Sequence, residues 1–364
     1  MLDKFQSQND YPERGGRMSQ LPYQKELPIN LLAACFNNTT ATYKYYWLLS
    51  ILELIETGNL TISKRELFAK MISKAWFTVN YFHVSFGKQD LIQQAIHALN
   101  KVEKIPLDGK CQFVFEKLST SCKAETLNLL WHFDKNVPHW FLSPWFPQMD
   151  RAEIHKASQS FNKKCMYGLF KNDIKINPEW KDYLTENVRV LKDFCYWNLA
   201  LFLQAKNPNV PDIPNKLFKP AVRNSLVNQK NKYWKNVFDK EGSIECIFTK
   251  EKLMYESENF AIDHFVPHGF VSHDLIWNLI PIDKRFNCVK SDKLPSIKKH
   301  FDSFFEVQKI AFEINYKLNP KSKFMEEFLS IFPDLDTSFT KEKFKERIQP
   351  LITIASNNGF EFLK

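Results

Sequence analysis

The sequence predicts an α+β protein with a predominantly helical N-terminal domain and a C-terminal strand–loop–strand–helix module that is flanked by helices. Two patterns predict this fold class. Apolar residues up to about position 206 recur mainly at helical spacings of three and four, whereas residues 260–290 contain two short strands, a connecting loop and a helix. We expect five segments, in this order: a flexible arm at 1–20, a helical domain at 21–206, a proline-rich and then basic linker at 207–240, the module at 241–300, and C-terminal helices at 301–364.

Helix signals are frequent in the N-terminal part of the chain. Asn38, Thr39 and Thr40 are good N-cap types ahead of an apolar series, which predicts a helix that ends near Gly58. The pattern Ser63-Lys64-Arg65-Glu66 matches a capping box and predicts the start of a second helix. The further expected elements are helices at Asp90–Leu99, Ala124–Trp131, Ala152–Phe161, Val188–Gln204, 297–330 and 340–356, and a short strand at Gln112–Phe115.

Composition limits the classes of partner. The 364 residues are 44% hydrophobic and 15% aromatic, enough to fill a core, so a disordered chain is excluded. Fifty Lys and Arg against 41 Asp and Glu give a net charge of +9, which favours a polyanionic partner and nucleic acid first. Nine glycines without a GxGxxG or GxxxxGK pattern argue against an ATP-driven or dinucleotide enzyme.

Cysteine usage and hydropathy bear on the compartment. The seven cysteines are odd in number and lack a repeated short spacing, which argues against a secreted disulfide framework and fits a reducing cytoplasm. The longest apolar run, around Tyr45–Ile55, is interrupted by Glu53 and is too short to span a bilayer. We therefore expect a cytoplasmic protein with no membrane partner.

The segment after residue 206 is rich in proline and then in basic residues. Three prolines at Pro208, Pro211 and Pro214 predict a linker, because proline removes backbone hydrogen-bond donors. Residues 215–240 are strongly basic and carry Asp239 as their single acid. Two interpretations stay open: contact with a phosphate backbone, or a solvated helix face anchored by Tyr233 and Trp234.

Residues 260–292 carry the polar signals that indicate chemistry. Phe260 and Ile262 alternate along a short strand that ends in Asp263 and His264. A loop follows, then a return strand at Asn278–Pro281 and a helix that begins near Asp283. On that helix Asn287 and Lys290 are spaced i and i+3 and share a face.

These side chains match what hydrolysis of a phosphodiester requires. Asp263 and Asn287 offer hard oxygen ligands suited to Mg²⁺. A histidine such as His264 exchanges a proton near neutral pH and is placed to be the general base. Asn278 can tie the intervening loop and orient His264, and Lys290 can contact a substrate phosphate.

The spacing resembles a known family. Asp263-His264, Asn278 fifteen residues later, Asn287 twenty-four residues later, and the ending N-x-x-K-S-D resemble the HNH (ββα-metal) endonucleases. The similarity is greatest to the HNH domains of CRISPR-associated and restriction-type nucleases, and it covers residues 244–295.

This resemblance implies a metal-dependent endonuclease that hydrolyses DNA with Mg²⁺ or Mn²⁺, in a bacterial defence or restriction setting. It also implies a one-metal mechanism and products with 5′-phosphate and 3′-hydroxyl ends. The alternative is a nucleic-acid-binding or complex-assembly subunit whose HNH module is silent or activated by a partner, as in a nuclease toxin. Many relatives bind structural zinc through two cysteine pairs, whereas here only Cys246 and Cys288 lie in the module, so no structural zinc is expected.

The expected partner is nucleic acid, with DNA first. A homodimer and a partner subunit are both compatible with the sequence, because a single active site attacks one strand at a time. The residues expected to contact nucleic acid are Lys230, Lys232, Lys235, Lys284, Arg285 and His268.

Overall fold

The computed structural model describes residues 21–37, 39–218, 224–335 and 339–364. The arm expected at 1–20 and the N-cap candidate Asn38 lie outside the described residues. The fold is α+β, as the sequence predicts.

Helices make up most of the described chain. Among these residues no helix combines the length and the apolar composition that a membrane crossing needs. In chain order the helices are α1 (Ile29–Ala34), α2 (Tyr43–Ile55), α3 (Lys64–Asn80), α4 (Leu91–Glu103), α5 (Cys111–Thr120), α6 (Ala124–Trp131), α7 (Val137–Phe141), α8 (Arg151–Ser158), α9 (Pro178–Glu186), α10 (Val188–Lys206), α11 (Ile213–Phe218), α12 (Val227–Gln229), α13 (Lys235–Glu241), α14 (His268–Val271), α15 (Lys284–Lys290), α16 (Ile297–Leu318), α17 (Lys323–Phe328) and α18 (Lys341–Asn357).

The strands are short and pair only in antiparallel fashion within three small sheets. The first sheet has the order β1-β3-β2, and the other two are the pairs β4-β5 and β6-β7. The strands are β1 (Thr61–Ser63), β2 (Tyr167–Leu169), β3 (Asp173–Ile176), β4 (Ile244–Glu245), β5 (Lys252–Leu253), β6 (Phe260–His264) and β7 (Leu279–Asp283).

Two compact units divide the chain, and each is built from two separate segments. Of the described residues, unit 1 comprises those up to Met71 and Leu127–Asn198, and unit 2 comprises Ile72–Thr126 and those from Leu199 onward. The expected domain boundary at residue 206 therefore differs from this division, because residues 72–126 pack with the C-terminal half of the chain.

Unit 1 is centred on α2, which the sequence predicts and which ends three residues before Gly58. Trp47 of this helix is fully buried and donates a hydrogen bond to the Tyr167 hydroxyl at 2.9 Å. Tyr167 lies on β2, in a three-stranded sheet that the sequence did not predict. The strands of this sheet are three or four residues long, too short to show a clear period-two pattern.

Two segments of unit 2 differ in secondary structure from what the sequence predicts. The strand expected at Gln112–Phe115 is wrong, because these residues belong to helix α5. Its buried side chains are Val114 and Leu118, spaced i and i+4. The buried residues therefore follow the spacing of a helix and not the alternation of a strand. The linker expected at 207–240 contains α11 and a helical stretch at 227–241, in which Tyr233 and Trp234 are fully buried.

The helices α16 and α18 contribute aromatic side chains to the core next to β6. Phe304 of α16 stacks on Phe265, which follows β6, with ring centroids 3.8 Å apart and planes 2° apart. Phe344 of α18 also stacks on Phe304, with ring centroids 5.4 Å apart. The module thus depends on a phenylalanine cluster supplied from outside residues 241–300.

Replacing Phe304 with alanine removes the centre of this cluster. Since both stacked rings are fully buried, we expect Phe304→Ala to lower the free energy of unfolding of unit 2 by about 3–5 kcal/mol, measured by urea denaturation. Ile310→Ala is the matched control, because Ile310 lies on the same helix and is 41% exposed. Equal losses in the two variants would contradict this description of the core.

Candidate active site

The strand pair β6–β7 places two predicted site residues at one end of a strand. In the antiparallel register Asp263 pairs with Ile280 and His264 pairs with Leu279. Asp263 is 5% exposed and His264 is 4% exposed. The helix α15 follows β7 and is capped by Asp283, whose side chain accepts a hydrogen bond from the Phe286 amide at 2.8 Å. The result is the strand–strand–helix arrangement that the sequence predicts.

His264 is held through one ring nitrogen. Its Nε2 lies 3.2 Å from the His273 carbonyl oxygen and 3.0 Å from Oδ1 of Asp274. A carbonyl oxygen can only accept, so Nε2 carries the hydrogen and the lone pair of the neutral ring lies on Nδ1. No group of the described residues forms a hydrogen bond with Nδ1. This nitrogen is therefore the one that can take a proton from water.

The side chain of Asp274 is the hydrogen-bond partner of His264. Burial raises its pKa, but hydrogen bonds from His264 and Asn224 and the nearby histidine charges outweigh burial and lower the pKa of Asp274 to about 2. Asp274 is the single acid between residues 265 and 278, which is the signal that could have identified it. Its carboxylate stays ionised at neutral pH and can stabilise a positive charge on His264.

Two further histidines surround this carboxylate. The ring of His268 lies 5.1 Å from that of His264, and its Nε2 is 4.0 Å from Oδ1 of Asp274. Burial lowers the pKa of His273 to about 4, so this ring is neutral near pH 7. His268, expected to contact nucleic acid, thus lies beside the candidate base.

Lys290 forms a buried ion pair with Asp263. Its Nζ lies 2.7 Å from Oδ2 of Asp263 and 2.7 Å from the His264 carbonyl oxygen, and its side chain is fully buried. The sequence predicts that Lys290 contacts a substrate phosphate. In the structure its buried ammonium group is paired with Asp263.

Asp263 and Asn287 are the residues that could hold a divalent cation. Oδ2 of Asp263 is used by Lys290, and no donor of the described residues bonds its Oδ1. Asn287 is half-buried on α15, one turn before Lys290 and on the same face. One carboxylate and one amide oxygen suit Mg²⁺, which keeps most of its ligands as water or phosphate oxygens. The donor set therefore fits a hard divalent cation.

Asn278 fixes the start of the loop. Its side chain accepts a hydrogen bond from the Val266 amide at 2.8 Å and donates one to the Val266 carbonyl at 2.8 Å. Its own carbonyl accepts from the Phe265 amide at 2.7 Å. Asn278 is fully buried and acts on the backbone two residues after His264, not on the ring itself.

Side chains from outside the module hold the rest of this loop. Lys216 of α11 donates to the Phe270 carbonyl at 2.8 Å and to the Ser272 hydroxyl at 2.7 Å, and burial lowers its pKa to about 7. Glu327 of α17 accepts from the Ile276 amide at 2.6 Å. Gln308 of α16 donates to the carbonyls of Ile276 and Leu279. None of these three anchors was identified from the sequence, because each lies far from the motif along the chain.

The cations expected to contact nucleic acid fall into two groups. Lys230 and Lys235 are engaged with carboxylates, at 3.5 Å from Glu258 and 2.6 Å from Asp239 respectively, and both lie over the ring of Tyr255. The exposed members are Lys232, Lys284 and Arg285. The exposed group is the part of the prediction that is available to a phosphate backbone.

Cys246 follows β4 directly in the hairpin β4–β5. Cys246 is buried and its Sγ accepts a hydrogen bond from the Asp283 amide at 3.3 Å. Phe248 stacks on Phe286 with centroids 5.0 Å apart. Cys288 is exposed. Across the described ranges no group of three or more His, Cys, Asp or Glu side chains is arranged to hold a metal ion.

The strands β6 and β7 and the helix α15 carry a histidine and hard oxygen ligands, which is the arrangement of a ββα-type module. Residues 246–296 of unit 2 match the HNH endonuclease family, and this match supports a nuclease of the HNH kind. An HNH nuclease domain implies nucleic-acid binding. Comparison with curated proteins gave no match, and comparison with solved structures gave none either.

Replacing Lys290 alone leaves the buried carboxylate of Asp263 without its cation. We expect Lys290→Met to lower the free energy of unfolding of unit 2 by about 3–5 kcal/mol in urea denaturation. The double variant Asp263→Asn with Lys290→Met should recover most of that loss, since neither charge is then buried.

Lys284→Met is the matched control for this pair, because Lys284 is exposed on the same helix and its replacement should change stability by no more than about 0.5 kcal/mol. Additive losses at Asp263 and Lys290 would show that the two side chains do not act as a pair.

Proposed function

We propose that this protein is a metal-dependent HNH endonuclease that hydrolyses phosphodiester bonds of DNA. The observation that carries the proposal is the tautomer of His264: its Nε2–H is directed to the His273 carbonyl and Asp274, which leaves Nδ1 as a base on the residue that follows Asp263. A base of defined tautomer beside hard oxygen ligands is what water activation at a phosphodiester needs.

Each residue has a separate role in this proposal. His264 takes a proton from the attacking water at Nδ1 while Asp274 stabilises the resulting imidazolium through Nε2–H. Asp263, oriented by Lys290, and Asn287 would hold the divalent cation, Mg²⁺ or Mn²⁺, which when bound neutralises charge on the phosphate and the leaving oxygen. Asn278 is a positioning residue, because it fixes the backbone that follows His264.

The reaction balances as a hydrolysis. The water oxygen bonds to phosphorus, the bond from phosphorus to the 3′ oxygen breaks, and the products carry 5′-phosphate and 3′-hydroxyl ends, as the resemblance implies. DNA is favoured by the net charge of +9 and by the exposed cations Lys232, Lys284 and Arg285. A defence or restriction setting rests on the resemblance to CRISPR-associated and restriction-type nucleases.

Cleavage of a supercoiled plasmid tests the base assignment. Purified protein should convert the plasmid to nicked or linear forms with Mg²⁺ or Mn²⁺ and not with EDTA. His264→Ala should lower the rate at least about 10²-fold, because it removes the general base. His97→Ala, an exposed histidine of the same unit, should cleave like the wild type.

Folding of both histidine variants is checked by circular dichroism before the rates are compared. Equal cleavage by wild type and His264→Ala would overturn the base assignment. Tight DNA binding with no cleavage at any metal concentration would favour the alternative, a binding or assembly subunit with a silent module.

The role of Asp274 is tested by measuring how its replacement changes kcat and KM separately. Asp274→Ala should lower kcat by about ten- to a hundredfold with little change in KM, because the carboxylate acts on His264 and not on substrate. Asp274→Asn, which keeps an oxygen acceptor, should lower kcat by a smaller factor. Asp108→Asn, at an exposed acid of the same unit, is the control.

The pH profile provides a second readout for the same residue. Since the pKa of Asp274 is lowered from 3.8 to about 2, the carboxylate is ionised in the folded chain at every pH well above 2, and its effect is lost only as the pH falls toward that value. The ratio of wild-type to Asp274→Ala rates should therefore contain no titration of Asp274 near neutral pH. An increase in KM with an unchanged kcat would show that Asp274 binds substrate instead.

A further inference from the structure

Unit 1 contains a charged cavity that the proposed nuclease chemistry does not use. Its volume is about 690 Å³, which lies within the range of about 300–1,000 Å³ typical of small-molecule sites. Its wall combines the three cations Lys64, Arg151 and Lys171 with the two acids Asp134 and Asp150 and with two histidines.

Lys64 is the most deeply buried cation of this wall. Its side chain is 1% exposed, and Nζ lies 2.9 Å from Oδ1 of Asp134 and 3.3 Å from the Lys171 carbonyl oxygen. An ammonium group has three hydrogens to donate, and Nζ of Lys64 donates one to the Lys171 carbonyl, so donors remain for a ligand. Arg151 approaches Asp134 only at 3.5 Å and its side chain is 47% exposed, so most of its donors are also available.

His139 supplies an unsatisfied polar atom to the cavity wall. The residue is 2% exposed, and its Nδ1 is buried without a hydrogen-bond partner among the described residues. Its ring lies 6.2 Å from that of His155. Burial, and then the charge of Arg151, lower the pKa of His139 to about 4, so the ring is neutral near pH 7. A buried imidazole nitrogen without a partner can be satisfied by a ligand, which accepts from it or donates to it according to the tautomer.

The acids of the wall are already engaged. Asp134 forms ion pairs with Lys64 and Arg151 and accepts a hydrogen bond from Arg151 at Oδ2, whereas its buried Oδ1 has no hydrogen-bond partner among the described residues. Asp150 caps helix α8, where its carboxylate accepts from the Glu153 amide at 2.9 Å. Three cations therefore face two carboxylates, and the surplus charge of the wall is positive.

We propose that this cavity binds a phosphate monoester, with Lys64, Arg151 and Lys171 as its charged contacts. Phosphate oxygens accept several charge-assisted hydrogen bonds at once, which matches the donors left over by Lys64 and Arg151. The volume exceeds the needs of a lone phosphate, so the group is carried by a larger ligand. Two sources share this chemistry, a free nucleotide and the 5′-phosphorylated end of a nucleic-acid strand.

Isothermal titration of the full-length chain tests the site. The titration uses phosphate-free buffer with EDTA and the His264→Ala background, so that no cleavage interferes. The probes are adenosine 5′-monophosphate, adenosine, and a short single-stranded oligonucleotide with a 5′-phosphate or a 5′-hydroxyl. We expect the monophosphate to bind and adenosine not to bind. We also expect Arg151→Ala and Lys171→Ala each to weaken the binding about ten- to a hundredfold.

Lys181→Ala is the matched control, because Lys181 is an exposed lysine of the same unit outside the cavity wall. Arg151 and Lys171 are also largely exposed, so their replacement should not unfold unit 1. His139→Gln provides a second variant, which should change affinity without removing a charge.

The probes separate the two sources. Binding of the free monophosphate alone identifies a small ligand, and a preference for the 5′-phosphorylated over the 5′-hydroxyl oligonucleotide identifies a strand end. The proposal is overturned if neither phosphorylated probe binds at millimolar concentration, or if both cavity variants bind like Lys181→Ala. These results are independent of plasmid cleavage, so the site and the nuclease assignment fail or stand separately.

Discussion

The hydrogen bond from Nε2 of His264 to Asp274 and the His273 carbonyl is the interaction on which the candidate active site depends. It fixes which ring nitrogen carries the hydrogen, and thereby which nitrogen can act as a base. Both acceptors lie in the loop between β6 and β7, not on a strand. The chemistry therefore requires that a loop be held as rigidly as the sheet.

That rigidity comes from outside the module. Lys216, Gln308 and Glu327 bond backbone groups of the loop, and each belongs to a helix beyond residues 246–296. The loop backbone is largely buried, so each of its polar groups needs a partner, and strands of five residues cannot supply them all. The flanking helices are thus part of the structure of the site, although the family match covers only the strand–strand–helix segment.

The two units carry opposite electrostatic arrangements. In unit 2 a carboxylate and an amide oxygen offer ligands to a cation, and Lys290 balances Asp263 from the buried side. In unit 1 a surplus of cations surrounds a cavity with an unsatisfied imidazole nitrogen. The first arrangement suits a metal-assisted hydrolysis, and the second suits an anionic ligand.

The sequence alone determined the helices with clear caps, the strand that ends in His264, and the identity and order of Asp263, His264, Asn278 and Asn287. These features are local, because capping and strand alternation act over a few residues. The tertiary structure decided what depends on contacts between distant segments. In the tertiary structure residues 112–115 are helical. Lys290 pairs with Asp263 in place of the predicted substrate contact, and Asp274 forms a hydrogen bond with His264. Burial and the pairing of buried charges set these outcomes, and neither can be read from spacing along the chain.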